Sequence, residues 1–187
     1  MDEILTSLKK SNRAAFRTRE YAAMLNKKGY ARLVLHRLKM AGGIVSVKNG
    51  WWAFPDSMPE AVASDMSNPG YVSFHSALFL HGLTTQTPMK VQIAVARKPK
   101  KYFVFGTEVK EYKIRNTQFT GFYRRDGILT ASPEKAFADS LMHPKTCPEI
   151  VLMDALGEIN TDKVALMLAT GSAKKKLKRL IRHVNQR

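Results

Sequence analysis

The sequence predicts an α+β protein. An N-terminal winged helix-turn-helix is followed by a mixed α/β domain with a mainly antiparallel sheet and C-terminal helices. Three observations carry this expectation. Residues 18–54 run in the order helix, tight turn, helix, hairpin. From residue 71 a helix signal is followed by a run of strand signals and then by helix signals. A hydrophobic content of 44% over 187 residues suffices for a packed core, in one large domain or two small ones.

Ile4, Leu5 and Leu8 fall at helical spacing, which predicts a first helix over residues 2–10. Asp2 and Glu3 suit its positive end, and Lys9 and Lys10 its negative end. Phe16 is expected to plug the core. Thr18 then reads as the N-cap of a short second helix through Tyr21, Ala22, Met24 and Leu25, with Glu20 in its first turn. Lys27-Lys28-Gly29 reads as a turn. A third helix runs from Tyr30 to about Ala41, stopped by Gly42-Gly43. Its Ala31, Val34, Leu35 and Leu38 form an inward stripe at i, i+3, i+4, i+7. The opposite side carries Tyr30, Leu33, His36, Arg37 and Met40, with Arg32 on the flank. Ile44–Val47 and Trp51–Phe54 read as strands joined through Lys48-Asn49-Gly50, where Asn-Gly tolerates the positive φ of a tight hairpin. Trp51, Trp52 and Phe54 are expected to pack the hairpin onto the helices.

Prolines with Ser and Gly at 55–59 and 67–70 bracket a stretch of weak pattern. The expected division is therefore a unit over 1–58, a linker over 59–70 with one helical turn inside it, and a second unit over 71–187. Tyr71–Leu83 reads as one helix stopped by Gly82. Val91–Val95 alternates as a strand. Hairpins are expected over 102–114, around Gly106-Thr107, and over 119–130, around Asp126-Gly127. Ser132 as N-cap and Pro133 at the first helical position open a helix that ends before His143-Pro144. Short helices are expected over 148–157 and 162–169, and a last one from Ser172 to Val184.

The chain has 31 Lys+Arg against 15 Asp+Glu, a net charge of +16. Residues 1–62 hold 11 basic and 5 acidic side chains, residues 63–170 hold 13 and 10, and residues 171–187 hold 7 and none. The excess sits at the two ends, as expected of polyanion-facing surfaces. Cys147 is the only cysteine, so no intrachain disulfide forms. No apolar run approaches the ~20 residues of a membrane span. The acidic start lacks a secretory pattern, and a cytoplasmic protein that does not enter the membrane is expected.

Double-stranded DNA is the partner these patterns predict. Arg32 and Arg37 are the candidate base readers, because a guanidinium can pair with both O6 and N7 of guanine. Thr18, Arg19, Lys27, Lys28, Tyr30 and His36 complete the helical surface, and Lys48 and Asn49 sit at the hairpin tip. In the last helix Lys174, Lys175, Lys176 and Lys178 crowd the polar side opposite Leu177, Leu180, Ile181 and Val184. They are candidates for phosphate contact. Neither cofactor nor metal is expected. His75, His81 and His143 lack ligand-type spacing, and His81 reads as a hydrogen-bonded packing residue. Glu108, Glu111 and Asp126 read as solvated acids near turns, and Asp139 as a helix-surface or helix-pairing residue, so no enzyme activity is expected.

Two motifs carry a resemblance. Tyr71-Val72-Ser73 leading to Ser76-Ala77-Leu78, then His81-Gly82-Leu83-Thr84 and Gln86-Thr87-Pro88, resembles the C-terminal domain of the AbiEi family of abortive-infection antitoxins and transcriptional regulators. Thr130-Ala131-Ser132-Pro133-Glu134-Lys135-Ala136-Phe137-Ala138-Asp139 resembles that family's second signature. The resemblance spans residues 1 to about 145 and includes the order of the N-terminal unit. It implies a repressor of its own operon, bound at an operator of inverted repeats. It also implies neutralisation of a nucleotidyltransferase-type toxin, by direct or indirect contact. The alternative is a winged-helix regulator whose second domain senses a small ligand.

Overall fold

The computed structural model describes residues 3–26 and 28–184, with the side chain of Lys28 outside that description. The protein is a mixed α+β chain with two sheets. The N-terminal unit runs α1 (Glu3–Lys10), β1 (Ala15–Arg17), α2 (Thr18–Leu25), α3 (Lys28–Met40), β2 (Val45–Lys48) and β3 (Trp51–Ala53). Its sheet has the order β1-β3-β2, all antiparallel. The apolar stripe of α3 points inward as expected: Ala31 and Leu35 are fully buried and Val34 and Leu38 partly so. They pack with Leu5, Leu8, Phe16, Tyr21, Ile44 and Phe54 in one core. Gly42, at φ +75°, ends α3, and the Gly43 N–H reaches back to the Leu38 carbonyl at 3.0 Å.

Two local expectations need correction. Thr18 is not the cap of α2. Arg17 holds that position, and its N–H donates to Glu20 Oε2 at 2.8 Å. The Thr18 hydroxyl instead accepts from the Trp52 indole N–H at 2.9 Å, tying α2 to the hairpin. Strand β1 was not expected at all. Three residues carry no periodicity; pairing with β3 makes the strand, with Phe16 opposite Trp52.

Residues 59–70 are not an irregular linker. Pro59–Met66 form helix α4, opened by Pro59 at its first position and buried from Ala61 to Met66. Its first unit neighbour is β1, and its other neighbours are strands of the second sheet. Gly70 follows at a tight spot: a Cβ there would lie 2.8 Å from the Ser67 carbonyl oxygen and 2.9 Å from Val95.

The second unit contains β4 (Tyr71–Val72), α5 (Phe74–Leu80), β5 (Val91–Val95), β6 (Lys101–Val104), β7 (Thr107–Lys113), β8 (Phe122–Arg125) and β9 (Ile128–Ala131). Helices α6 (Pro133–Met142), α7 (Glu149–Leu156), α8 (Thr161–Met167) and α9 (Gly171–Val184) follow. The sheet order is β6-β7-β5-β4-β9-β8. It is more mixed than expected, since β5/β7 and β4/β9 are parallel and the other three pairs antiparallel. The expected helix over Tyr71–Leu83 is in fact a strand followed by a helix. Both strand residues are fully buried, so no alternation marked them. Ser132 caps α6 as expected, accepting from the Lys135 N–H at 3.2 Å.

The sheet separates two helical layers. On one face Glu111 and Tyr102 bond Ser67, at the end of α4. On the other, Tyr71 bonds Asp139 of α6, Gln92 bonds Ser76 of α5, and Tyr112 meets the ring of Phe74. These assignments alternate along β5 and β7 as the pleat requires. The N-terminal unit therefore packs with α4 on one face, while α5 and α6 cover the other, with α8 and α9 packed on α6.

Candidate nucleic-acid interface

On α3, the side chains opposite the buried stripe meet solvent. Tyr30 is 45% and Leu33 44% exposed, and Met40 75%. Arg32, His36 and Arg37 are exposed on the same helix. The Arg37 guanidinium reaches the Tyr30 hydroxyl at 3.4 Å, a loose contact that leaves most of its donors open. Among the described residues no acidic side chain pairs with Arg32 or Arg37. Both arginines are thus open to solvent on α3, Arg37 beside Tyr30 and Arg32 on the flank. Arg19 is exposed to solvent on α2. Lys27 and the Lys28 side chain lie outside the described residues.

Lys48, exposed at the hairpin end of β2, also makes a contact across the two units. Arg17 and Lys48 lie opposite Trp51 from its two neighbouring strands. Arg17 sits over the Trp51 ring at 4.7 Å, and Lys48 Nζ over the Tyr102 ring of β6 at 4.6 Å. Lys48 is therefore held at the joint between the units. Partial burial, then the charge of Lys100, push its ammonium below the usual lysine value, with Arg17 and Arg97 adding to the push. Arg17, Arg97 and Lys100 drew no attention in the sequence. They are distant along the chain, and only the joint brings their charge near Lys48. Asn49 occupies the turn and is exposed.

Lys174, Lys175, Lys176 and Lys178 do not join this surface. Helix α9 packs on α6 and α7, on the sheet face opposite α4 and the N-terminal unit. The two basic ends of the sequence end on different sides of the molecule.

The buried polar groups are structural. Asp139, fully buried, is no surface residue. It accepts from Lys135 Nζ at 2.5 Å, Ser73 Oγ at 2.8 Å and the Tyr71 hydroxyl at 3.1 Å. Burial pushes its carboxyl above the ordinary value against the pull of these donors, and pushes the Tyr71 hydroxyl up as well. Glu111 is likewise buried, not solvated. Arg97 donates to both its oxygens at 2.7 and 2.8 Å, and Ser67 adds a third bond at 2.9 Å. Glu108, partly exposed, pairs with Lys90 and Lys101. His81 behaves as a packing residue: Nε2–H donates to the Ala131 carbonyl at 2.8 Å, which leaves Nδ1 to accept from Arg125 at 2.9 Å. Cys147 is buried, and its thiol is pushed up to about 12 by that burial. Among the described residues no cluster of three His, Cys, Asp or Glu side chains could hold a metal ion, and no helix is long and apolar enough to cross a membrane.

No protein-family model matches the chain, and no curated protein matches it. Among solved structures, the chain is similar to the Rv2827c protein from Mycobacterium tuberculosis. The TM-score is 0.62 at 16% identity, over 96% of this chain and 75% of that one. That likeness is one of fold, and it extends through both units.

Proposed function

We propose that the N-terminal unit is a winged helix-turn-helix, and that the chain is a DNA-binding repressor serving as the antitoxin of an abortive-infection system. In this reading α3 enters the major groove and β2–β3 is the wing. One observation carries it. Helix α3 buries Ala31 and Leu35 while leaving Tyr30, Arg32, His36 and Arg37 in solvent on a protein of net charge +16. The order α1-β1-α2-α3-β2-β3 supports it. The partners are double-stranded DNA of the chain's own operator and a nucleotidyltransferase-type toxin, the latter resting on the AbiEi resemblance.

Fluorescence anisotropy against the upstream DNA of its own gene tests the reading. Arg32→Ala or Arg37→Ala is expected to cost about 1–3 kcal/mol on the operator and to relax base preference. Neutralising about six phosphates gives a salt slope near −5 in log–log form. Equal losses on operator and random DNA remove the base-reading role, and a salt-independent affinity removes the DNA interface altogether. Growth rescue from the product of the adjacent gene tests the antitoxin role.

A further inference from the structure

The helical layer on the far side of the sheet carries a feature that DNA reading leaves unused. Helices α8 and α9 flank an open groove of about 350 Å³, lined by Ala165, Leu166, Leu177 and Ile181, with Lys174 and Lys178 along its α9 side. Thr161 and Asp162 line its α8 end. Leu166 is 88% exposed, far beyond what packing of α8 requires, since Val164 and Leu168 already anchor that segment in the core. Among the described residues no acidic side chain pairs with Lys174, Lys175, Lys176, Lys178 or Arg182. Only Arg179 on this helix is engaged, by Glu149. Lysines one turn apart on one helix repel each other and cost helix stability. The helix nevertheless folds with its apolar residues Ala173, Leu177 and Leu180 buried against α6 and α7.

We infer that this groove docks an amphipathic, acidic helix of a protein partner. Apolar floor and cationic rim are complementary to a helix that carries leucine-like anchors on one face and Glu or Asp beside them. Lys174 and Lys178, one turn apart, match acids spaced i, i+4 on the incoming helix. A nucleic acid uses the lysines alone. Its phosphates offer nothing to Leu166, and an apolar floor beside a phosphate contact is wasted surface. The docking chemistry follows from the groove itself. Only the identity of the partner, the toxin, rests on the function proposed above.

The test uses the full chain and a labelled synthetic helix of about four turns, with leucines at i, i+3, i+4, i+7 and glutamates elsewhere. A permuted peptide of equal composition lacks the apolar face. The amphipathic peptide is expected to bind, and the permuted one at least about tenfold more weakly. Leu166→Glu and the pair Lys174→Glu/Lys178→Glu are each expected to weaken binding at least about tenfold while operator affinity is retained. Leu166 is outside the core, so its variant keeps the parent melting curve. Equal binding of both peptides overturns the inference, because charge alone then accounts for it. So does displacement of the peptide by random duplex DNA that depends on the lysines but not on Leu166, and so does a dimer of the chain that Leu166→Glu dissociates. Rescue of growth from the neighbouring gene's product is scored separately. If that product is harmless, the antitoxin reading falls while the peptide result stands.

Discussion

At the scale of single residues, the two motifs that suggested a family turn out to be parts of one buried contact. Tyr71 and Ser73 from the first motif and Lys135 and Asp139 from the second meet at the Asp139 carboxylate. Val72 pairs with Thr130 across the parallel strands β4 and β9. The sequence named these residues but left Asp139 between a helix-surface and a helix-pairing role, because a buried Lys–Asp pair at i, i+4 looks like an ordinary exposed helix pair. Replacing Asp139 with Ala strands Lys135, whose side chain is 3% exposed. The expected loss is about 3–5 kcal/mol in urea unfolding, with part recovered by adding Lys135→Met. The histidines give a pH dependence. Burial lowers the pKa of both His75 and His143. An unfolded histidine titrates near about 6.5, so the unfolded chain gains protons first as the pH falls. Stability is intact above about 6.5 and declines below it, down to the lowered folded values. His75→Gln is expected to flatten that decline in thermal melts between about pH 7.5 and 5.5, and a slope unchanged in this variant rejects the assignment.

Individual elements show where periodicity works and where it fails. The amphipathic α3 and the capped α6 were legible because one face of α3 meets water and a cap residue announces the start of α6. Strand β5 was legible from its Val-Ile-Val alternation, although all five of its residues are buried. Strand β4 and helix α4 were not. Both are buried on all sides, and helix α4 is hidden between prolines that also occur in loops. Helix α4 is the joint: its Asp65, 5% exposed, accepts from the N–H groups of Ala14 at 2.8 Å and Ala15 at 3.1 Å. Arg13 and Arg124 approach the same carboxylate at 3.5 Å from the two units. Ala14, Ala15, Trp51 and Ala53 belong to the core that includes the second sheet. A fragment over 1–58 exposes these residues and the two backbone N–H groups of Ala14 and Ala15, so it is expected to lack the cooperative melt of the full chain. In the full chain Asp65→Ala is expected to cost about 3 kcal/mol or more. A fragment that melts as sharply as the parent would show the N-terminal unit to be self-sufficient.

For the whole molecule, net charge was legible and its placement was not. Counting located an excess at each end of the sequence, and one reading joined both ends on one DNA. The fold sends them to opposite faces of a six-stranded sheet, with α4 on one side and α6 on the other. A duplex seated on α3 meets α9 only by wrapping around the molecule, which costs bending energy on the order of 1–6 kcal/mol for a short site. This gives a quantitative expectation. Replacing Lys174, Lys175, Lys176 and Lys178 with Gln keeps helix propensity and removes four charges. If DNA stays on the α3 side, the slope of log K against log salt is unchanged, because no counterions are released at α9. Long-range attraction beyond a Debye length of about 8 Å is screened at physiological salt, so affinity there also changes little. A slope that becomes shallower by about three to four units means that the duplex reaches α9. The same four-lysine variant is expected to fail in growth rescue if α9 serves the protein partner. One protein preparation thus separates a DNA-wrapping role for the C-terminal helix from a partner-binding one.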